Sequence, residues 1–203
     1  PLKANLKDSI ERRTIAQLLD RGLNNPAGYV LPIKWNYDNS HWRSNKWEFK
    51  REYLFLVPGN SPIGFRLPLE SLPVIPKEEE SEFVERSLFE EVPVLENFAD
   101  AISKRHDSIT IHSEGIAFVK TALCVEAREG IIYIFLPPME YLEHYLDMVA
   151  SIEASALKLN MPVRIEGYEP PRDNRLERLV VSPDPGVIEV NIHPANNWKE
   201  LLQ

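Results

Sequence analysis

The chain has 203 residues and a formal net charge of −8. This length allows one large or two small domains with a buried core, and the acidic balance argues against nucleic acid or an anionic membrane surface as the partner. The single cysteine, Cys124, excludes a disulfide framework and a cysteine-based zinc site. It fits a reducing compartment, so we expect a cytoplasmic protein.

We expect no secretory signal and no membrane-spanning segment in this sequence. The N-terminal residues lack the apolar core of a secretory signal, and the most apolar run, residues 131–139, is too short to span a bilayer. The chain starts at Pro1 rather than at methionine, which favours a piece of a longer polypeptide, although tag removal or processing would give the same start. The remainder of that polypeptide would then be a partner of this part.

The first 70 residues are predicted to hold a helix, several strands and a tryptophan-rich loop. Asp8-Ser9-Ile10-Glu11 has the pattern of a capping box, and the helix that it opens is predicted to stop near Gly22. Tyr29 to Trp35 has strand composition, and Pro32 favours an edge or a bend. A hairpin is expected from residues 53–57 and 64–69.

The segment from residue 36 to 51 is polar and aromatic. Trp35, Trp42 and Trp47 alternate with arginines and lysines, a mixture that can stack on and grip a nucleotide or a sugar. The alternative is a surface loop anchored by aromatic side chains, and this alternative is the more common use of such residues. We keep both interpretations, with the anchored loop preferred.

Residues 71–93 are predicted to be a linker between a first region, residues 1–70, and an α+β domain, residues 94–203. The linker is rich in proline and contains the acidic run Glu78 to Glu82, a composition typical of solvated, exposed chain. A short helix is expected from Leu95 to Ile102, followed by a brief strand at residues 109–112.

The C-terminal pattern is the clearest. Strands are predicted at residues 117–128 and 131–136, joined by Glu129-Gly130. A long helix from 139 to 159 follows, with apolar residues at three- and four-residue steps. Strands at 162–168, 177–181 and 187–193 precede the first turns of another helix at 196–203. This order predicts an α+β fold, with an antiparallel or mixed sheet and the long helix packed on one face.

The last of these strands alternates strictly after a turn at residues 183–186. Glu189, Asn191 and His193 share one face. A carboxylate, an amide and an imidazole in one row can hold a divalent cation or line a polar pocket. The alternative is a half-buried strand whose outer face is simply exposed to solvent. The opposite face holds Ile188, Val190 and Ile192, which we expect to pack on the helix.

Three strands are therefore predicted to place charged side chains on one side of a single sheet. Three of these side chains are carboxylates that can bind a hard cation such as Mg²⁺: Glu126, Glu166 and Glu189. Three others are positively charged side chains that can offset the negative charge of a phosphate: Lys120, Arg128 and Arg164. Cross-strand ion pairing on a solvated sheet is an equally good explanation. The other histidines have no partner motif and are assigned to surface or loops: His41, His106, His112 and His144.

Several motifs resemble those of a known family. They are Thr121–Glu126 with Tyr133–Pro138, and Ile165–Asp173 followed by Val181–Pro194. The segments Gly28–Ile33 and Leu54–Gly64 fit as well, so the resemblance covers most of the chain outside the linker. The family is a large bacterial one in which a transglutaminase-like domain is followed by an amidoligase domain. That second domain is related to glutamine synthetase and glutamate–cysteine ligase.

The resemblance implies a glutamine-synthetase-like sheet whose polar face holds ATP and Mg²⁺. It implies a carboxylate–amine ligase that forms an amide through an acyl phosphate, from small-molecule or peptide substrates. The metal ligands would be Glu126, Glu166 and Glu189. Asn191 and His193 would be catalytic contacts to phosphate or substrate, and the nucleotide would be bound by Lys120, Arg128 and Arg164. The domain would continue beyond Gln203, so this fragment would be partial and inactive alone.

Two other functions stay open on the sequence. The first is a non-catalytic module that binds a peptide or an amide-containing substrate for an attached catalytic domain, with the tryptophan-rich loop as its contact. The second is a structural domain that supports an oligomer.

Overall fold

The structure is a computed structural model of the chain. It describes residues 7–21, 26–37, 40–50, 63, 66–73, 86–87, 90–105, 119–192, 194–195 and 197–202. The predicted strands at 53–57 and 109–112, most of the predicted linker at 71–93, and His106 and His112 lie outside these residues. The chain divides into two compact units, residues 1–170 and 171–203.

Four α-helices occur in the described residues: α1 (Ser9–Arg21), α2 (Phe98–Lys104), α3 (Leu142–Leu159) and α4 (Trp198–Leu201). The predicted start of α1 is confirmed, because the Asp8 carboxylate accepts hydrogen bonds from the amides of Ile10 and Glu11 at 2.8 and 3.3 Å. A 3₁₀ turn at Leu69–Ser71 stands where the second hairpin strand was predicted to end. None of these helices is long and apolar enough to cross a membrane.

The main sheet has four strands in the order β1-β4-β5-β6. They are β1 (Tyr29–Pro32), β4 (Ala122–Arg128), β5 (Ile131–Leu136) and β6 (Val163–Gly167). β4 pairs antiparallel with β1 and β5, and β6 runs parallel to β5. The sheet is therefore mixed, and the α+β prediction is confirmed. It joins strands from both sides of the predicted linker, and the division of the chain at 71–93 stays a prediction.

Two glycine positions explain how neighbouring strands meet. Glu129 and Gly130 have positive φ angles of 50° and 80°, as a two-residue type I′ turn requires between β4 and β5. Gly167 ends β6 with φ +104°, and a Cβ there would lie 2.5 Å from the carbonyl oxygen of Leu136. Only glycine lets β6 come this close to β5 in that conformation.

Helix α3 covers one face of the main sheet. The core is formed by buried side chains from β4, β5 and the helix: Leu123, Ile134, Leu136, Met148 and Ile152. Burial of each large apolar side chain contributes about 2 kcal/mol relative to exposure. For these strands the prediction that the apolar side packs on the long helix is confirmed, and the alternate residues point to the opposite face of the sheet.

A short antiparallel pair, β2 (Lys34–Asn36) and β3 (His41–Arg43), lies apart from the main sheet. Its register places Trp35 opposite Trp42. The strand predicted from Tyr29 to Trp35 is thus two strands, interrupted after Pro32 as its proline indicates.

The second unit is built on a hairpin of β7 (Val180–Asp184) and β8 (Val187–Asn191), which forms a sheet of its own. The prediction that three polar strand faces belong to one sheet is therefore wrong. The expected packing of Ile188, Val190 and Ile192 on the helix is also wrong, since these side chains are 74%, 53% and 59% exposed. Alternation determines which side chains share a face, but it does not determine which layer covers that face.

Candidate functional site

The face of the main sheet that points away from α3 carries a group of polar side chains. We call this group the polar sheet face, and its members are Glu126, Arg128, Tyr133, Arg164 and Glu166. The register explains why they gather: Tyr133 of β5 lies opposite Glu126 of β4 on one side and Arg164 of β6 on the other. Paired residues of neighbouring strands project from the same side of a sheet.

Arg128 joins the two carboxylates of this face. Its Nε donates to Glu126 Oε2 and its Nη1 to Glu166 Oε1, each at 3.0 Å. Only 11% of the Glu126 side chain is exposed, against 36% for Glu166. Burial lowers the pKa of Arg128, but its hydrogen bonds to Glu166 and Glu126 and their negative charges outweigh burial, so the pKa is raised. Arg128 therefore remains a fixed positive charge between two carboxylates.

Tyr133 lies between two guanidinium groups. The Arg128 Cζ is 4.4 Å from the centre of the Tyr133 ring and the Arg164 Cζ is 5.6 Å from it, both within the range of a cation–π interaction. Arg164 Nη1 also donates to the Tyr133 hydroxyl at 2.9 Å. The sequence prediction missed Tyr133 because it sits in a very apolar strand. The signal was available in the alternation of β5, which places Tyr133 on the side opposite Ile134.

The chemistry of Glu126 and Glu166 fits Mg²⁺ as a pair of oxygen ligands. Mg²⁺ is usually held by one or two carboxylates, with waters and phosphate oxygens completing its coordination. Arg128 engages one oxygen of each carboxylate, and the other oxygen of each makes no hydrogen bond to the residues that the structure describes. Within the described ranges there is no group of three His, Cys, Asp or Glu side chains able to hold a metal.

The other predicted site residues lie elsewhere. On β8, the Asn191 Nδ2 donates to Glu189 Oε1 at 2.8 Å, and both side chains are exposed. Lys120 is exposed just before β4, and His193 lies outside the described residues. The structure therefore gathers Glu126, Arg128, Arg164 and Glu166 in the first unit, and Glu189 with Asn191 in the second unit.

A second polar group is buried beneath α3. His144 is only 6% exposed, so its assignment to the surface or a loop is wrong. Its ring stacks on Trp35 at 4.4 Å, and Tyr37 and Tyr141 present edges to it at 5.5 Å. Burial lowers the pKa of His144 to about 4 and raises that of Tyr37 to about 12. The His144 Nδ1 has no hydrogen-bond partner among the described residues.

Asp147 lies one turn further along α3 and is 2% exposed. Its carboxylate accepts from Trp42 Nε1 at 2.7 Å and from both terminal nitrogens of Arg105. Trp47 Nε1 donates to the Val119 carbonyl at 2.6 Å. The interpretation of these tryptophans as anchors is thus confirmed for Trp42 and Trp47. Because Asp147 and Val119, which accept these hydrogen bonds, are 2% and 1% exposed, the contacts stabilise the fold.

Sequence reasoning missed His144 and Asp147 as core residues because it counted only apolar side chains on α3. Their spacing gave a signal: Asp147 and Met148 follow His144 by three and four residues, and Ile152 follows Met148 by four, so they lie on one side of the helix. A polar residue on such a face must find partners when it is buried. Trp42 and Arg105 supply those partners for Asp147.

Comparison with known proteins supports one part of the family resemblance found in the sequence, namely the amidoligase family. The chain matches the family described as "Putative amidoligase enzyme (DUF2126)" over residues 1–203. No curated protein and no solved structure matches the chain. Because the family match spans the full sequence, the chain belongs to this amidoligase family.

Proposed function

We propose that the chain is part of an ATP-dependent carboxylate–amine ligase with a glutamine-synthetase-like fold. Membership of the amidoligase family supports ligation as the reaction class. The observation that carries the proposal is the polar sheet face, where Arg128 joins Glu126 to Glu166 beside Tyr133 and Arg164. Two carboxylates and two guanidinium groups on one side of a sheet suit a ligand that combines phosphate with a divalent cation.

The proposed reaction has two steps. A substrate carboxylate oxygen attacks the γ-phosphorus of ATP, the bond to the β–γ bridging oxygen breaks, and ADP leaves. An amine nitrogen then attacks the activated carbonyl carbon, inorganic phosphate leaves with the electron pair of the broken carbon–oxygen bond, and the nitrogen loses a proton to a base or to solvent. Bound Mg²⁺ would neutralise phosphate charge.

The residues of this chain have distinct parts in the proposal. Glu126 and Glu166 of the first unit are the proposed Mg²⁺ ligands, and Glu189 of the second unit is a separate candidate for a metal ligand. Arg128 fixes the two sheet carboxylates in position, since it is hydrogen-bonded to both. Phosphate charge is offset by Arg128, Arg164 and Lys120, and the contacts to phosphate or substrate are assigned to Asn191 and His193.

The test is calorimetric binding of ATP in the presence of Mg²⁺ to the full-length natural protein. We expect Glu126→Gln to weaken binding about tenfold, the cost of losing one charged ligand interaction. Glu153→Gln is the matched control, because Glu153 is exposed on α3 away from the polar sheet face. A wild-type protein that binds no nucleotide would overturn the ATP proposal, and equal affinities in wild type and Glu126→Gln would overturn the metal role.

A further inference from the structure

One residue of the polar sheet face, Tyr133, has no part in the reaction proposed above. It interrupts an apolar strand, since Ile132 and Ile134 flank it, and its side chain is half-buried. The register places it between Glu126 of β4 and Arg164 of β6. Directly paired residues have Cβ atoms about 5 Å apart, so a phenol at this central position can contact side chains of both neighbouring strands.

Tyr133 holds two arginines by two different parts of its side chain. The ring attracts Arg128, whose Cζ is 4.4 Å from the ring centre. The hydroxyl accepts a hydrogen bond from Arg164 Nη1 at 2.9 Å, and the Arg164 Cζ is 5.6 Å from the ring centre. The two guanidinium groups repel each other because they carry the same charge, and the attraction of both to one aromatic ring offsets part of that repulsion.

The two arginines differ in how their charge is compensated. Arg128 donates to Glu126 and to Glu166, each at 3.0 Å. Arg164 is exposed, and in the described part of the chain it forms no ion pair with a carboxylate. Its hydrogen bond to Tyr133 uses one of five N–H donors, and a hydroxyl acceptor holds the guanidinium without cancelling its charge. Arg164 therefore keeps a positive charge that can meet a phosphate.

We infer that Tyr133 is a positioning residue for the binding of phosphate. Its hydroxyl holds Arg164 and its ring holds Arg128, so the two guanidinium groups have fixed places on the polar sheet face before an anion binds. An arginine that is already held in place loses less side-chain freedom when it binds that anion. The inference rests on the proposed function, because the anion is the polyphosphate of the nucleotide.

The test is calorimetry on the full-length natural protein with two probes, each premixed with Mg²⁺: ATP, and inorganic tripolyphosphate, which carries phosphate charge without a nucleoside. Tyr133→Phe removes the hydroxyl and keeps the ring. We expect it to weaken the binding of both probes about threefold, a part of the roughly tenfold loss expected for Arg164→Gln.

Tyr29→Phe is the matched control for this substitution. Tyr29 is an exposed tyrosine of β1 and lies opposite Val125, which packs against the core on the α3 side of the sheet. Removing its hydroxyl should leave the affinity for both probes unchanged.

A double variant separates positioning from packing within the sheet. If Tyr133 acts through Arg164, removing its hydroxyl has no further effect once Arg164 is replaced, so Tyr133→Phe/Arg164→Gln should bind both probes as Arg164→Gln does. Independent effects would instead multiply to about thirtyfold. A residue that only packs could change the stability of the fold, but it would not produce this coupling in affinity. If the double variant does not fold, the comparison of Tyr133→Phe with Tyr29→Phe still decides.

Three outcomes overturn the positioning role alone: equal affinities of wild type and Tyr133→Phe, multiplied losses in the double variant, or a loss confined to ATP, which would mean that Tyr133 meets the nucleoside. In each of them ATP still binds to the wild type, so the ligase proposal stands. Binding of tripolyphosphate without ATP, weakened by Tyr133→Phe, would reject the ligase role and keep Tyr133 at an anion site. A wild type that binds neither probe would overturn both proposals.

Discussion

The main sheet and the β7–β8 hairpin have the same alternating sequence pattern and different surroundings. On the main sheet, Leu123 and Leu136 are 8% and 0% exposed because α3 covers their side. On the hairpin, Ile188 and Val190 are 74% and 53% exposed. The contrast shows that alternation assigns side chains to faces, while the covering layer decides how much stability each apolar side chain contributes.

The polar side of the main sheet is also less exposed to solvent than the polar side of the hairpin. On the main sheet, one guanidinium joins two carboxylates, and Glu126 is largely buried. On the hairpin, the Glu189–Asn191 hydrogen bond is exposed. Charged groups that are partly withdrawn from water interact more strongly than exposed ones. The comparison can therefore be tested by matched substitutions in the two units.

The largest expected difference is between Leu136→Ala and Leu179→Ala. Leu136 is 0% exposed and Leu179 is 66% exposed. The first substitution should lower the free energy of unfolding by about 4 kcal/mol, since it removes buried methyl groups and leaves a cavity. The second should change it by less than about 0.5 kcal/mol. Urea denaturation measures both, and a large loss in Leu179→Ala would show that the Leu179 side chain, just before β7, is covered in solution.

The regular elements of the main sheet could be predicted because their signals are local. Glu129-Gly130 fixes a turn, and the spacing of apolar residues along α3 marks a core-facing helix. The joining of β1 to β4 could not be predicted in the same way, because the two strands are far apart in sequence and any edge strand offers the same backbone groups. The separate sheet of β7 and β8 was missed because alternation along a strand does not determine whether a hairpin joins the edge of another sheet.

The second prediction concerns pH and depends on His144 of the first unit. The buried polar residues of the described chain, Asn45, His144 and Asp147, all belong to that unit. Burial lowers the pKa of His144 from 6.5 to about 4, so between these values the unfolded chain binds more protons. The stability that neutral His144 contributes is present above pH 6.5 and is lost as the pH falls towards 4. Between pH 7 and pH 5 the loss is about 2 kcal/mol.

The control for this prediction is His144→Phe, which keeps an aromatic ring beside Trp35 and cannot titrate. Denaturation of both proteins at pH 7 and pH 5 isolates the histidine, because the carboxylates titrate in each. We expect the wild type to lose about 2 kcal/mol more than the variant. Equal losses would mean that His144 reaches solvent in the folded protein.

One part of the candidate site could be predicted from the alternation of side chains along each strand. Glu126, Arg128, Arg164 and Glu166 were assigned to one side of the sheet from alternation, and the register brings them together. Two kinds of information were missing from that pattern. Alternation could place Tyr133 on this side of the sheet. It could not tell that Arg128 would occupy the space between the carboxylates or that Tyr133 would lie directly opposite Glu126, because both facts depend on cross-strand register.

The smallest expected effect compares the two polar faces. Arg128→Gln removes the partner of Glu126, whose side chain is 11% exposed, and of Glu166, which is 36% exposed. Because Arg128 itself is 34% exposed, solvent screens the loss and we expect about 1 kcal/mol. Glu189→Gln on the hairpin should cost less than about 0.5 kcal/mol, since its hydrogen bond to Asn191 is exposed. Urea denaturation at low salt measures both.

Repeating this last measurement in 1 M NaCl separates the electrostatic contribution of each side chain from its packing contribution. At that ionic strength the Debye length is about 3 Å, so the contribution of Glu166, whose side chain is 36% exposed, should fall more than that of Glu126, whose side chain is 11% exposed. Part of the Arg128→Gln effect should therefore persist in salt, while any effect of Glu189→Gln should vanish. If salt abolished both effects, Arg128 would be a solvated surface residue, and the polar sheet face would resemble the hairpin rather than a preorganised site.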